Sequence, residues 1–415
     1  MLHLLVTERR LRWFLIGGIL IALGGSTSLV ALPLFILNTT HNAFLLGIIL
    51  LARTLPATLL APFFGRYIDR VGMYRTTITG LLLSAVGVAT IPFLQAIPSL
   101  IVISAFIQGV GQIMLFPVVA FYLPALVGEK DLDMANSIFR TLSIGGSLAG
   151  TALGGLMITY KWYTLTFCLD ALLSILALGA VLAIGKISGE QAQDENVPLW
   201  KAFAPVVQVV RRNPTLLYML VIDAALYFAI GAVGVALPVY TTALSHSPSL
   251  YSSALITANI AELLGGIAAP AINRRIPPGR LAFSYGVFAL IMALSFLGIS
   301  VWLSVVSVLL FTFTTSFMLG VLYVLYGTYM QKSVPEYVMG RFQTIAASLS
   351  SICQSGGNFV AGEIATFSFN LGYTVIGGVV LVGSMFILLF QKEKTVDLSR
   401  DSASHEEQQE ELPVL

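Results

Sequence analysis

The chain has 415 residues, 57% of them hydrophobic and 10% charged, with a formal net charge of +2 and a mean hydropathy of +0.89. No soluble domain could cover that much apolar surface, and so small a charge excess argues against nucleic acid as a partner. The solvent for most of this chain is lipid.

Breaking the hydropathy at charges, Pro and Asn predicts an all-α membrane protein of twelve spans. They fall at about 13–37, 43–65, 76–96, 99–127, 134–159, 163–185, 215–243, 249–272, 281–302, 304–330, 338–366 and 370–391. The first, "WFLIGGILIALGGSTSLVALPLFIL", is long enough to cross a bilayer core, which needs about 20 apolar residues. A second span follows it at once, so it reads as a retained helix rather than a signal peptide. Cys168 and Cys353 sit inside apolar runs and are expected as small core residues, not a disulfide. Of the 22 Lys and Arg residues, Arg53 lies within a span and Lys161 between spans five and six; the other twenty fall on the side of the two termini and of alternate loops. The positive-inside rule places that side, with both termini, in the cytoplasm of a cell-membrane protein.

Between spans two and three stands "GRYIDRVGMYRT", an ordered loop of Gly65, Asp69, Arg70, Gly72 and Arg75 at fixed offsets. Three Arg would suffice for a topological anchor. An anchor has no use for Asp69, which is suited to accept from helix N-terminal amides or to pair with an Arg, nor for Gly72, which permits positive φ. Span four carries Gln108 and Gln112 one turn apart, and span five carries Gly146, Gly150, Thr151, Gly154 and Gly155, spaced for close helix packing. The stretch 186–214 separates spans six and seven. It is either a plain linker or, from Trp200, Phe203, Val207 and Val210 at helical spacing, a helix lying on the inner leaflet. The tail 392–415, with "EEQQEELPVL", reads as acidic and disordered.

The two sides of the connector repeat each other. "VALPLF" at 30–35 recurs as "VALPVY" at 235–240, an offset of 205, and the same offset carries Arg75 onto Arg280 and Met134 onto Met339. The expected domains are therefore two parallel six-helix bundles, 1–185 and 215–391, joined by 186–214. Asp69 has no counterpart, since the offset lands on Arg274.

Ionisable groups within spans are costly in lipid and are candidates for function. They are Arg53, Asp170, Asp223, Glu262 and Glu363. Asp170 and Glu363 lie toward span ends, where structural capping is an equal reading. Asp223, with Tyr227 one turn on, and Glu262 either face a cavity or form a buried pair with Arg53. With Gln108 and Gln112 these residues make the candidate substrate and proton site, since a carboxylate in a dry cavity is placed to exchange a proton. All four His lie at termini or loop edges, so no HExxH or Ser-His pair lies within the membrane, and there is no GxxxxGK[ST] loop. Neither an enzyme nor an ATP-driven pump is expected, and no metal or bound cofactor.

The Gly65–Arg75 loop resembles the signature of the major facilitator superfamily, in the position where that family carries it. "PEYVMGRFQT" and "CLDALLS" resemble its macrolide-efflux and enterobactin-exporter branch, and the Gly146–Gly155 run is similar to the antiporter motif of its drug exporters. That motif has Pro where this chain has Thr151, and Ala105 stands where the family often has Arg. The resemblance implies alternating access around a central cavity, with Asp69, Arg70 and Arg75 latching the halves on the cytoplasmic side. It implies a monomer in a lipid bilayer that exports lipophilic small molecules, cations by the acidic lining, driven by the proton gradient. The alternatives are a lipid or lysolipid flippase, an importer, or a sensor on the same scaffold.

Overall fold

A computed structural model describes residues 8–127, 131–186, 206–211, 213–245, 248–277, 280–302 and 304–390. The tail 392–415, and with it most of the 186–214 connector including Trp200 and Phe203, lies outside the described residues, as do the exposure of Gly65 and the side chain of Asp69.

Every predicted span is helical. The first half comprises α1 (Arg9–Thr40), α2 (Ala43–Val71), α3 (Met73–Thr90), α4 (Ser99–Leu115), α5 (Val118–Val127), α6 (Leu132–Thr159) and α7 (Tyr163–Ile184). The second comprises α8 (Pro214–Ser245), α9 (Pro248–Asn273), α10 (Leu281–Val301), α11 (Val305–Ser333), α12 (Glu336–Ile364) and α13 (Phe369–Phe390). Among the described residues ten helical segments are long and apolar enough to cross a membrane, α4 and α5 together forming one of them, and α13 has a shorter apolar stretch, Leu371–Phe386. Helix α12 alternates apolar residues with Ser, Gln and Asn because it is packed between α2 and α8.

Local chemistry sets the breaks. The Asn42 side chain accepts from the Leu45 amide at 3.0 Å and starts α2, and a reciprocal Ser304–Ser307 box starts α11. The single predicted span at 99–127 is divided at Phe116–Pro117, where a proline without an N–H interrupts the ladder. The expected loop at 65–76 is also corrected. Helix α2 runs on to Val71, α3 begins at Met73, and Gly72 alone turns the chain, at φ 85. Its amide closes α2 on the Ile68 carbonyl at 2.8 Å and its carbonyl receives the Thr76 amide at 3.1 Å, so one glycine ends one helix and begins the next. Arg70 is thereby placed in the last turn of α2, where a cation complements the helix dipole.

The two halves are built alike. Helix α1 packs on α6 and α7, as α8 does on α12 and α13; α2 packs on α4, as α9 does on α11; α3 packs on α4 and α7, as α10 does on α11 and α13. Pro33 of α1 and Pro238 of α8, the prolines of the repeated hexapeptide, both lie inside their helices. Arg140 and Arg341, counted with the basic residues of the terminal side, already fall within the predicted spans 134–159 and 338–366, and they lie inside α6 and α12. In the connector, 206–211 is helical. It buries Val206 against Leu216, Met330, Val334 and Phe342, and leaves Val207 exposed. This part of the connector is fastened to the second half at the terminal side.

Candidate functional site

The halves meet through small residues on the side away from the termini. Gly47 of α2 lies against α12 so closely that a Cβ there would stand 2.6 Å from the Asn358 carbonyl oxygen and 2.9 Å from the Gly362 Cα. Phe44 and Phe359 pack edge to face at 5.9 Å, and Thr54 and Ser355 share a hydrogen bond at 2.8 Å. Related contacts join α6 to α9. Gly155 faces Ser252, with 2.5 Å from a built Cβ to the serine Cβ, and the Asn259 amide donates to Thr151 Oγ1 at 3.3 Å. Toward the termini, by contrast, exposed Asn136, Ser137 and Arg140 of α6 front an open recess. This conformer is closed on the far side.

The glycines of α6 divide between two tasks. Gly146, Gly150 and Gly154 lie on Ile19, Leu23 and Thr27 of α1, successive turns of one ridge, and a Cβ on Gly154 would be 2.8 Å from the Thr27 carbonyl. These three serve packing within the first half, while Gly155 serves the contact between halves.

Between the halves lies a cavity of about 540 Å³. Its far end is apolar and aromatic, with Tyr251, Phe296, Ile299 and Tyr373, and its middle carries Arg53, Gln112, Glu262, Gln354 and Asn358. Of the six candidate site residues, Arg53, Gln112 and Glu262 are brought together on this wall. Asp223, Tyr227 and Gln108 are not. Gln108 is 2% exposed, wedged against Gly87 of α3, and its Oε1 has no partner among the described residues.

Asp223 is 6% exposed inside the second half and accepts from Ser350 Oγ of α12 at 3.2 Å. Four tyrosines, Tyr227, Tyr285, Tyr323 and Tyr326, lie within electrostatic reach of it. Tyr227 and Tyr323, whose rings meet at 6.4 Å, reach Glu262 as well. Tyr227 and Tyr323 thus feel the charge of both the cavity acid and the buried one.

The alternative reading, a buried pair of Arg53 with Asp223 or Glu262, is not what the fold forms. Arg53 acts on Asp170 of α7, a residue that the sequence places nearer capping than function. Asp170 is 4% exposed and set against Gly24 of α1, where a Cβ would lie 2.6 Å from its Oδ1. Glu363 is exposed. The cation whose charge acts on Glu262 is Arg140 of α6, in the other half. The sequence marks Arg140 only as one of the basic residues of the terminal side. Its signal was periodic: Asn136, Arg140, Ser143, Ser147 and Thr151 recur at three- and four-residue spacing along an otherwise apolar helix, and so share one face.

Comparison with known proteins agrees with this architecture. Residues 14–361 match the family model described as Major Facilitator Superfamily. The multidrug efflux pump Tap of Mycolicibacterium fortuitum is 26% identical over 372 residues, covering 82% of this chain and 86% of that protein. A mutant form of the nucleoside transporter NupG superposes with a TM-score of 0.77 at 12% identity, over 92% of this chain and all of that one. The D-xylose-proton symporter does so at 0.72 and 16% identity, over 93% of this chain and 99% of that one. Two repeated bundles around a cavity, a family match along most of the length and these likenesses in fold lead to one statement: the chain belongs to the major facilitator superfamily, a transporter and not an enzyme.

Proposed function

We propose that the protein exports lipophilic small molecules across the cell membrane by alternating access, in exchange for protons, as a monomer with both termini in the cytoplasm. The observation that carries the reading is Glu262 on the wall of the cavity between the halves. A carboxylate there can hold a cationic cargo or a proton but not both, so that loading one expels the other. Around it the far end of the cavity offers aromatic faces suited to an apolar body. Asp223, whose neighbours Tyr227 and Tyr323 also feel Glu262, is the inner station for the proton. The efflux relative supports export at the level of class.

With the basic side in the cytoplasm, the conformer described faces inward, as an exporter must to load. The Asp69, Arg70 and Arg75 latch then belongs to the opposite conformer, in which the terminal side closes. A second reading is favoured by Arg140, since a cation already facing Glu262 competes with a cationic cargo. On that reading an anionic or zwitterionic amphiphile is moved. Proteoliposomes carrying a pH dye separate the two: cargo-dependent proton movement and uphill export of a cationic dye are expected, and both should fall in Glu262→Gln and Asp223→Asn. If both variants export the cation as wild type does, while Arg53→Ala alone stops an anionic dye, the cation reading fails and the amphiphile takes its place.

A further inference from the structure

A second cavity, of about 230 Å³, lies inside the first half between α1, α3 and the helices from α4 to α7, apart from the central one. Its wall is apolar, with Trp13, Phe14, Ile21, Val118, Phe139 and Ile184, and only Thr77 and Ser143 add hydroxyls. Protein interiors leave few voids larger than a water, and an apolar cavity stays dry and takes apolar molecules. Gly18 of α1 lets an aromatic ring form part of the wall. At Gly18 the ring of Phe139 occupies the place of a side chain, with its Cε2 2.5 Å from a built Cβ. That ring also packs on Phe14 at 5.3 Å.

Phe139 stands at a boundary. Together with Ala22, Val119 and Ser143 it lines both this pouch and the open recess on the terminal side. The next residue, Arg140, lines the recess with Asn136 and Ser147, so the apolar pouch passes directly into a polar strip bearing one cation. An apolar slot ending at a guanidinium matches a molecule with one apolar chain and an anionic head. The charge of Arg140 also acts on Glu262 of α9, so a bound anion would weaken that influence.

We propose that this pouch is a capture site for a single-chain anionic amphiphile, seated with its chain beside Trp13 and its head on Arg140 before passage to the central cavity. The proposal rests on the second of the two readings above, in which the exported cargo is an anionic or zwitterionic amphiphile. It is tested on the full chain in phosphatidylcholine nanodiscs, with Trp162, Trp200 and Trp302 changed to Phe so that Trp13 alone emits. A brominated fatty acid should quench Trp13 saturably. The midpoint should rise about tenfold in Arg140→Gln, and the saturable part should shrink in Val119→Phe, which narrows the boundary. Quenching that grows in proportion to probe and is equal in all variants overturns the site. A brominated alkyltrimethylammonium that saturates as tightly overturns the head-group assignment, and a brominated phosphatidylglycerol that does so makes a bilayer lipid the occupant in place of cargo. Dye export by the same protein in vesicles is the separate arm. Export with no saturable quenching removes the pouch alone, whereas saturable quenching without export removes the transport reading and leaves the binding site.

Discussion

The far-side closure rests on glycines, which makes it open to a single methyl group. In Gly47→Ala the added Cβ would stand 2.6 Å from the Asn358 carbonyl oxygen and 2.9 Å from the Gly362 Cα. Both neighbours are backbone of α12, so neither can swing aside, and the helices must part by several tenths of an ångström. Overpacking of this kind costs about 1–3 kcal/mol. The gain in helix propensity on replacing Gly by Ala, about 1 kcal/mol, is the same in every conformer and cancels. The clash does not cancel, because it exists only where α2 and α12 touch. The full amount therefore falls on the equilibrium between conformers, shifting it roughly 5- to 150-fold away from the state closed on the far side. Spin labels at Tyr160 and Phe367, exposed residues on the far-side loops of opposite halves, read this shift as a distance distribution. The long-distance population should grow in the variant, and transport should slow because the return to this state is penalised. An unchanged distribution in a folded Gly47→Ala protein would show that the halves do not part along α2 and α12, and would refute the alternating-access geometry drawn from this contact.

Other outcomes follow from the same structure. Gly72→Ala forces an L side chain to φ 85, and the protein should lose about 1–3 kcal/mol, visible as a lower Tm in detergent. Asp69→Asn should weaken the conformer closed on the terminal side by about 1–3 kcal/mol, so transport falls while membrane insertion persists; normal transport would return this segment to a topological anchor. Single cysteines within 66–75, 186–214 or 274–280 should resist a membrane-impermeant thiol reagent in intact cells, and labelling there from outside would invert the orientation.

The fold was legible because lipid imposes a simple rule. Backbone polar groups in a bilayer must be satisfied within the segment, so a long apolar run can only be a helix. For the same reason the helix boundaries were the weakest reading. The four charges of Gly65–Thr76 suggested a loop, but a charged helix end outside the lipid costs nothing, and Gly72 needs only itself to turn the chain. The division at Pro117 was written in the sequence as a proline inside an apolar run. Proline alone does not decide such a break, since Pro33 and Pro238 stand in equally apolar runs and leave their helices unbroken.

The site was legible by residue type and not by partner. An acid or a cation in an apolar span has to face something, which singles out Arg53, Asp223 and Glu262, but the partner depends on helix rotation, and rotation is set by packing. Arg53 and Glu262 illustrate the limit. Gly109 of α4 lies on the Arg53 carbonyl as Gly320 of α11 lies on the Glu262 carbonyl, so the two residues hold equivalent stations in the two halves. The ungapped offset of 205 instead sets Arg53 against Ala258, one turn short of Glu262. Once the stations are recognised as equivalent, their opposite charges and their separate partners, Asp170 and Arg140, become one arrangement. Each half presents to the cavity a charge that its neighbourhood already opposes. On the proposed reading a charged cargo is a competitor: a cation would draw Glu262 away from the influence of Arg140, an anion would draw Arg53 away from that of Asp170. Because Arg140 stands on α6 and Glu262 on α9, only the first of these exchanges acts across the interface that must move, and it is there that binding can be turned into a change of conformer.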